Sequence, residues 1–369
     1  MGQRKILFAD HLRGIAALAV LVSHLVVPYL KNAEIADHRT ISSALNVGSR
    51  VIEWLGKVDL GAFGVALFFL ISGFVIPRSF KRHNVRSFLR ARVLRIWPTY
   101  LAALACSIGV GYVSSWFWSS QFHISWGDLI ANVLLIQDFV GSNSLDGVNW
   151  TLTLEVIFYL ILIVIYPILL RYRAWFVAYC ACVLPVMLVL QALFPVYLHL
   201  DLNFVKLGTC LPFMLIGTLF YLQMEDIITT REMFYSAVFS VYAIATCLVT
   251  VLTTPITAIS YSAAFILFFG SFVMRERIGP SNILSSLSAI SYPLYLVHSI
   301  IGFSIVRFGT IYLGLSYTLS LIAAVIGSLI VACALHFTVE RPSMLLGSRL
   351  APQSLQVAII VEPQGVVEL

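Results

Sequence analysis

Ten apolar runs, each long enough to cross a bilayer, constrain this chain more than any other feature. They lie near 12–30, 59–77, 96–118, 150–170, 174–193, 204–224, 234–252, 256–274, 285–306 and 314–338. A helix needs about 20 apolar residues to span the hydrocarbon core. Backbone polar groups in lipid must also be satisfied within the segment, which favours helices. The sequence therefore predicts an all-α integral membrane protein, a bundle of about ten transmembrane helices. Composition agrees: of 369 residues, 60% are apolar and 11% charged, whereas a soluble domain carries about 25% charged residues. The stretch 128–139 is apolar but short, bracketed by Asp128 and Asp138, and reads as a re-entrant or interfacial segment. The bundle is expected over 1–345 and a short, loosely attached tail over 346–369, with chemistry confined to the bundle and its loops.

The distribution of Lys and Arg sets the direction. With the N-terminus in the cytoplasm, 17 of the 23 basic residues fall on the inner side. They include Arg4, Lys5 and Arg13, the loop from Arg78 to Arg95, Arg171, Arg173, Arg231, Arg275, Arg277, Arg341 and Arg349. The outer connection 119–149 has no Lys or Arg over 31 residues. By the positive-inside rule both termini are cytoplasmic and the number of spans is even. The net charge of +6 therefore reads as membrane orientation and lipid contact, and no nucleic-acid partner is expected. The six cysteines all lie inside apolar runs without metal-ligand spacing and read as small core residues; no metal is expected. No cleavable signal peptide is evident, because the first run lacks a small-residue cleavage site near Tyr29.

Ionisable groups inside apolar spans are costly and therefore informative. His24, Glu155 and His298 stand out, all expected in the outward-facing half of the bilayer. Each histidine alone is compatible with a hydrogen-bonded bundle position; a carboxylate in lipid needs a partner or a proton. The basic loop 77–95 exceeds what topology requires, although contact with anionic lipid also accounts for such loops. Within it, Arg92 and Arg95 share a helical face just before Trp97 and Pro98, where guanidiniums can grip phosphates. Arg13 lies at the same rim and on the same helix as His24, roughly 16 Å away along the axis. The pantetheine arm of coenzyme A is long enough to join the two levels. His24 then serves as general base on a hydroxyl arriving from outside, with Glu155 orienting the ring or the acceptor.

Six blocks carry a resemblance to a known family. They are DHLRGIAALAVLVSHL at 10–25, FFLISGFVI at 68–76, FLRARVLRIWP at 88–98, NWTLTLEVIFY at 149–159, ISYPLYLVH at 290–298 and VERP at 339–342. Each is weak alone, but in this order the chain resembles the acyltransferase-3 family of integral-membrane O-acyltransferases. The resemblance implies transfer of an acyl group, commonly acetyl, from cytoplasmic acyl-coenzyme A to a hydroxyl of a cell-surface or secreted glycan. It implies a multi-pass protein of the bacterial inner membrane. By position, Arg13 and His24 match the family's essential arginine and histidine. Arg90 and Arg92 match its R-x-R pair at the acyl donor, with Arg95 in the same motif, and Glu155 matches its glutamate. Thr151 replaces the usual serine and keeps the hydroxyl. Tyr292 and His298 are placed at the cavity, with Tyr292-Pro293 expected to kink the ninth span. Ser72-Gly73-Phe74 reads as close helix packing. Any second transfer step, such as a periplasmic or polysaccharide-synthesis partner performs, would need a separate protein.

Two rivals come from other classes. A transporter or flippase for a lipid-linked sugar also wants about ten spans and intramembrane charge, but predicts an inverted repeat, and none is found. A membrane-embedded assembly subunit without chemistry leaves His24 and Glu155 no purpose beyond packing.

Overall fold

The computed structural model describes residues 4–32, 58–80, 84–193, 202–252 and 254–349. Lys81 and Arg82 of the basic loop and the tail from residue 350 lie outside them. Among the described residues there is no strand, and ten helical segments are long and apolar enough to cross a membrane. In chain order the elements are α1 (Arg4–Asn32), α2 (Leu60–Phe80), α3 (Val85–Phe117), α4 (Trp126–Val133), α5 (Gln137–Val140) and α6 (Trp150–Leu193). There follow α7 (Leu202–Met224), α8 (Thr230–Thr250), α9 (Pro255–Val273), α10 (Asn282–Arg307), α11 (Tyr317–Leu335) and α12 (Arg341–Arg349). Single π-helical turns, Phe308–Tyr312 and His336–Glu340, extend α10 and join α11 to α12.

The helix starts follow local chemistry. Asn84 accepts a hydrogen bond from the Ser87 amide, Asp59 from Ala62, and Ser281 from Leu284. Thr229 and Glu232 form a reciprocal capping box at α8. These side chains satisfy amide donors that a helix leaves unpaired at its first turn. Spans four and five differ from the sequence reading. The backbone stays helical through Arg171 and Arg173, so both belong to one 44-residue helix, α6. Nothing between them forces a break: the prolines sit at 167 and 185, inside the two apolar stretches. The stretch 128–139 is no eleventh span but the short helices α4 and α5.

Helix α1 packs between α2 and α10, while α2 packs on α7, α7 on α6, and α10 also on α3 and α11. The α2–α7 contact explains Gly73: a Cβ there would stand 1.8 Å from the Met214 carbonyl oxygen. The backbones meet because position 73 has no side chain, and Thr218 donates to the Gly73 carbonyl across the seam at 3.2 Å. The outward surface is apolar at Val113, Val164, Ile266 and Ile330, as contact with lipid requires. All six cysteines are free thiols.

Candidate active site

A cavity of about 680 Å³, counting its open mouth, lies where α1, α2, α3, α6 and α10 meet. Arg13, Arg95 and Glu155 line it together with Ser72, Thr151, Tyr292 and Tyr295; Val65, Phe68, Phe69 and Leu152 are among its apolar walls. Arg13 keeps a 3.5 Å ion pair with Asp10, one turn earlier on its own helix. Arg95 lines the cavity and has no hydrogen-bond or ion-pair partner among the described residues. The Glu155 carboxylate accepts a hydrogen bond from the Tyr159 hydroxyl, one turn along α6. Tyr292 donates to the Ile96 carbonyl at 2.9 Å and ties α10 to α3 at the cavity wall. Pro293 lies within the same helix.

The arginines of the R-x-R pair part company. Arg90 is exposed, whereas Arg92 is only 8% exposed. Arg92 donates to the Ser79 hydroxyl and lies over the rings of Phe88, 5.3 Å from the centroid, and Tyr159, at 5.4 Å. It is therefore part of the wall behind Glu155, while Arg13 and Arg95 present the positive charge inside. The divergence of Arg90 from Arg92 follows from helix geometry, since residues two apart are rotated about 200° around the axis.

Tyr292 and Tyr295 line the cavity, whereas His24 and His298 do not; the histidines lie behind Tyr295. Its hydroxyl is 2.9 Å from Thr151 Oγ1, and its ring centroid is 6.0 Å from that of His298. His298 Nε2 lies 2.7 Å from His24 Nδ1, with ring planes 11° apart. His24 is half-buried and His298 buried. The structure thus joins His24 to His298, and groups Glu155 with Arg13, Arg95 and Tyr159. The reading that Glu155 orients the His24 ring has no counterpart in these contacts, because α1 packs chiefly on α2 and α10.

The connection 119–149 is built around a buried polar knot. Asn149 Nδ2 donates to Asn132 Oδ1 at 2.7 Å and to Tyr100 Oη at 3.2 Å, and Tyr100 donates to the Asn132 carbonyl at 2.8 Å. Asn132 Nδ2 donates to the carbonyls of Asp128 and Asn143. Asn149 is fully buried, which explains why its place in an Asn-Trp-Thr triplet is a packing requirement. Asp146 accepts from the amides of Val148 and Asn149, yet burial raises its pKa above the usual carboxylate range. Asp128, in the open, is held below that range by the Ser125 hydroxyl and then the Asn143 amide.

Sequence reasoning missed Tyr159, Tyr295 and Ser79. Tyr295 had a readable signal, lying three residues from both Tyr292 and His298 and therefore on one face of α10. Ser79 had none, since its role depends on how α2 meets α3. Among the described residues no three His, Cys, Asp or Glu side chains are grouped to hold a metal ion.

This ten-span bundle with an arginine-lined cavity is the framework of a membrane acyltransferase. The family profile described as "Acyltransferase domain" matches residues 6–337, and the chain belongs to the acyltransferase-3 family. It is similar to Nodulation protein 10 of Rhizobium leguminosarum bv. viciae, 32% identical over 139 residues, covering 33% of this chain and 37% of that protein. It is also similar to Acyltransferase MdmB of Streptomyces mycarofaciens, 29% identical over 154 residues, covering 40% of this chain and 36% of that one. The matches thus span little more than a third of either relative. No solved structure matches.

Proposed function

We propose that this acyltransferase moves an acyl group, commonly acetyl, from cytoplasmic acyl-coenzyme A to a hydroxyl of a cell-surface or secreted glycan. Its place is then the bacterial inner membrane, with both termini cytoplasmic and a glycan that is free or lipid-linked. The distribution of Lys and Arg supports that orientation.

One observation carries the reading: Arg13 and Arg95 line a cavity that Tyr295 also lines, and Tyr295 packs beside the His24–His298 pair. Phosphates held by the guanidiniums place the donor's long arm along the cavity. Its thioester then comes to the level of His24, about 16 Å along α1 from Arg13. The acceptor hydroxyl comes from the end that carries 119–149, a connection without Lys or Arg. His24 takes the hydroxyl proton as the oxygen attacks the acyl carbon.

Transfer of labelled acyl groups from acyl-coenzyme A to glycan in membranes tests the reading. His24→Gln is expected to abolish transfer and leave donor binding nearly intact, since the arginines hold the phosphates. Substantial transfer by that variant refutes base catalysis at this position; loss of donor binding moves His24 into the donor site.

A further inference from the structure

The contact between His24 and His298 fixes more than proximity. His298 is 1% exposed, and its Nδ1 lies 3.0 Å from the Leu294 carbonyl oxygen and 2.9 Å from that of Tyr295. A carbonyl oxygen only accepts, so Nδ1 of His298 carries the proton. A neutral imidazole has one such proton, which leaves Nε2 of His298 as a bare acceptor. His24 Nδ1, 2.7 Å away, must therefore donate to it. The alternative, an imidazolium at His298, would be a buried cation with no carboxylate among its hydrogen-bond partners, which desolvation penalises. By elimination the lone pair of neutral His24 sits on Nε2, which has no hydrogen-bond partner among the described residues.

The surroundings keep the pair in place. Helices α1 and α10 approach closely at Gly302, where a Cβ would stand 2.3 Å from Leu25 Cδ2. Tyr317 of α11 donates to the Leu25 carbonyl at 2.7 Å, next to His24 in sequence. Asp59, at the start of α2, is the charged group that acts on His24, its carboxylate fixed by the Ala62 amide at 2.9 Å and the Thr257 hydroxyl at 3.2 Å. Tyr295 is the other titratable neighbour of His298 on the cavity side.

We propose that His298 is a positioning residue that locks His24 in its Nδ1-protonated form and so makes Nε2 the atom that receives the acceptor proton. This rests on the acyltransferase reading above. The acceptor O–H bond breaks as its proton passes to Nε2, and the oxygen bonds to the acyl carbon. The carbon–sulfur bond of the donor then breaks, and the departing thiolate takes the proton from Nε2 to leave as free coenzyme A. His24 returns to its starting tautomer. While it is an imidazolium, its Nδ1–H stays bonded to His298, whose own N–H is bonded to two carbonyls. The row of dipoles thus presents its negative ends to the positive charge. A buried carboxylate does this work in the Ser-His-Asp arrangement; here a neutral imidazole takes its place.

Two measurements test the assignment. Nitrogen-15 spectra of histidine-labelled protein in nanodiscs, with His24 assigned by its loss in His24→Gln, report the tautomer directly. Protonated Nδ1 and bare Nε2 are expected at His24; a proton on Nε2 overturns the proposal. Kinetics compare His298→Leu, which offers no acceptor, with His298→Gln, whose amide oxygen can accept from Nδ1–H. His298→Leu is expected to lower kcat about a hundredfold, within the range that general-base catalysis supplies. Donor KM and the thermal midpoint should change little, and His298→Gln should retain turnover within about tenfold of the parent. Equal losses in the two variants, or a fall in kcat matched by lost donor affinity, overturn it as a merely structural contact. If neither variant folds, the spectrum of the unaltered protein decides. Absence of any acyl transfer by the unaltered protein would refute the acyltransferase reading, and the tautomer measurement would still stand on its own.

Discussion

Replacing the three arginines of the third helix one at a time should separate donor binding from wall building. Arg95 lines the cavity without a hydrogen-bond partner among the described residues. A charge-assisted hydrogen bond from it to a phosphate contributes about 1.5–3 kcal/mol. At about 1.4 kcal/mol per tenfold, Arg95→Ala should weaken acyl-coenzyme A binding by roughly one to two orders of magnitude, with the thermal midpoint unchanged. Arg95→Lys should recover only part of this, because the planar fork is lost. Arg92 differs: it is 8% exposed, bonded to Ser79 and stacked on two rings. Removing one charged hydrogen bond and two cation–π contacts should cost about 2–4 kcal/mol of bundle stability. Its effect on donor binding comes only through Tyr159 and Glu155. Arg90 is exposed, and Arg90→Ala should change either quantity little. The assays are coenzyme A binding by calorimetry and thermal unfolding of the same detergent-purified protein. Loss of donor affinity in Arg92→Ala at unchanged stability, or undiminished affinity in Arg95→Ala, would refute the division.

The outer knot and the helix seam offer two further tests. Burial raises the Asp146 pKa, so its stabilising contribution is full below the unfolded carboxylate pKa and is lost as pH rises through the folded value. Asp146→Asn should therefore be at least as stable as the parent at pH 7, the difference vanishing as thermal unfolding is measured toward acid; a parent that gains on the variant as pH rises contradicts this. Gly73→Val places a branched side chain where even a Cβ would be 1.8 Å from the Met214 carbonyl, so α2 and α7 must separate. A loss of at least about 1–3 kcal/mol is expected, and an unchanged midpoint in unfolding scans would show that the seam yields freely.

Sequence alone determined the class of architecture and the residues worth watching. Bilayer thickness demands long apolar helices, so eight of the ten runs stand as separate helices and the other two share one, and the cost of burying charge in lipid drew attention to His24, Glu155 and His298. Arg13 and Arg95 were legible because they sit at span ends on helical faces. The continuity of α6 through Arg171 was not, since a basic residue marks a membrane boundary without saying whether the backbone breaks there. Which charge meets which was decided only by tertiary structure. Helix α1 lies against α10, so His24 pairs with His298 from 274 residues away, and Glu155 is left to Tyr159 and the cavity arginines. Spacing along a helix fixes the direction of a side chain relative to its neighbours; only the packing of helices against one another says what that direction faces.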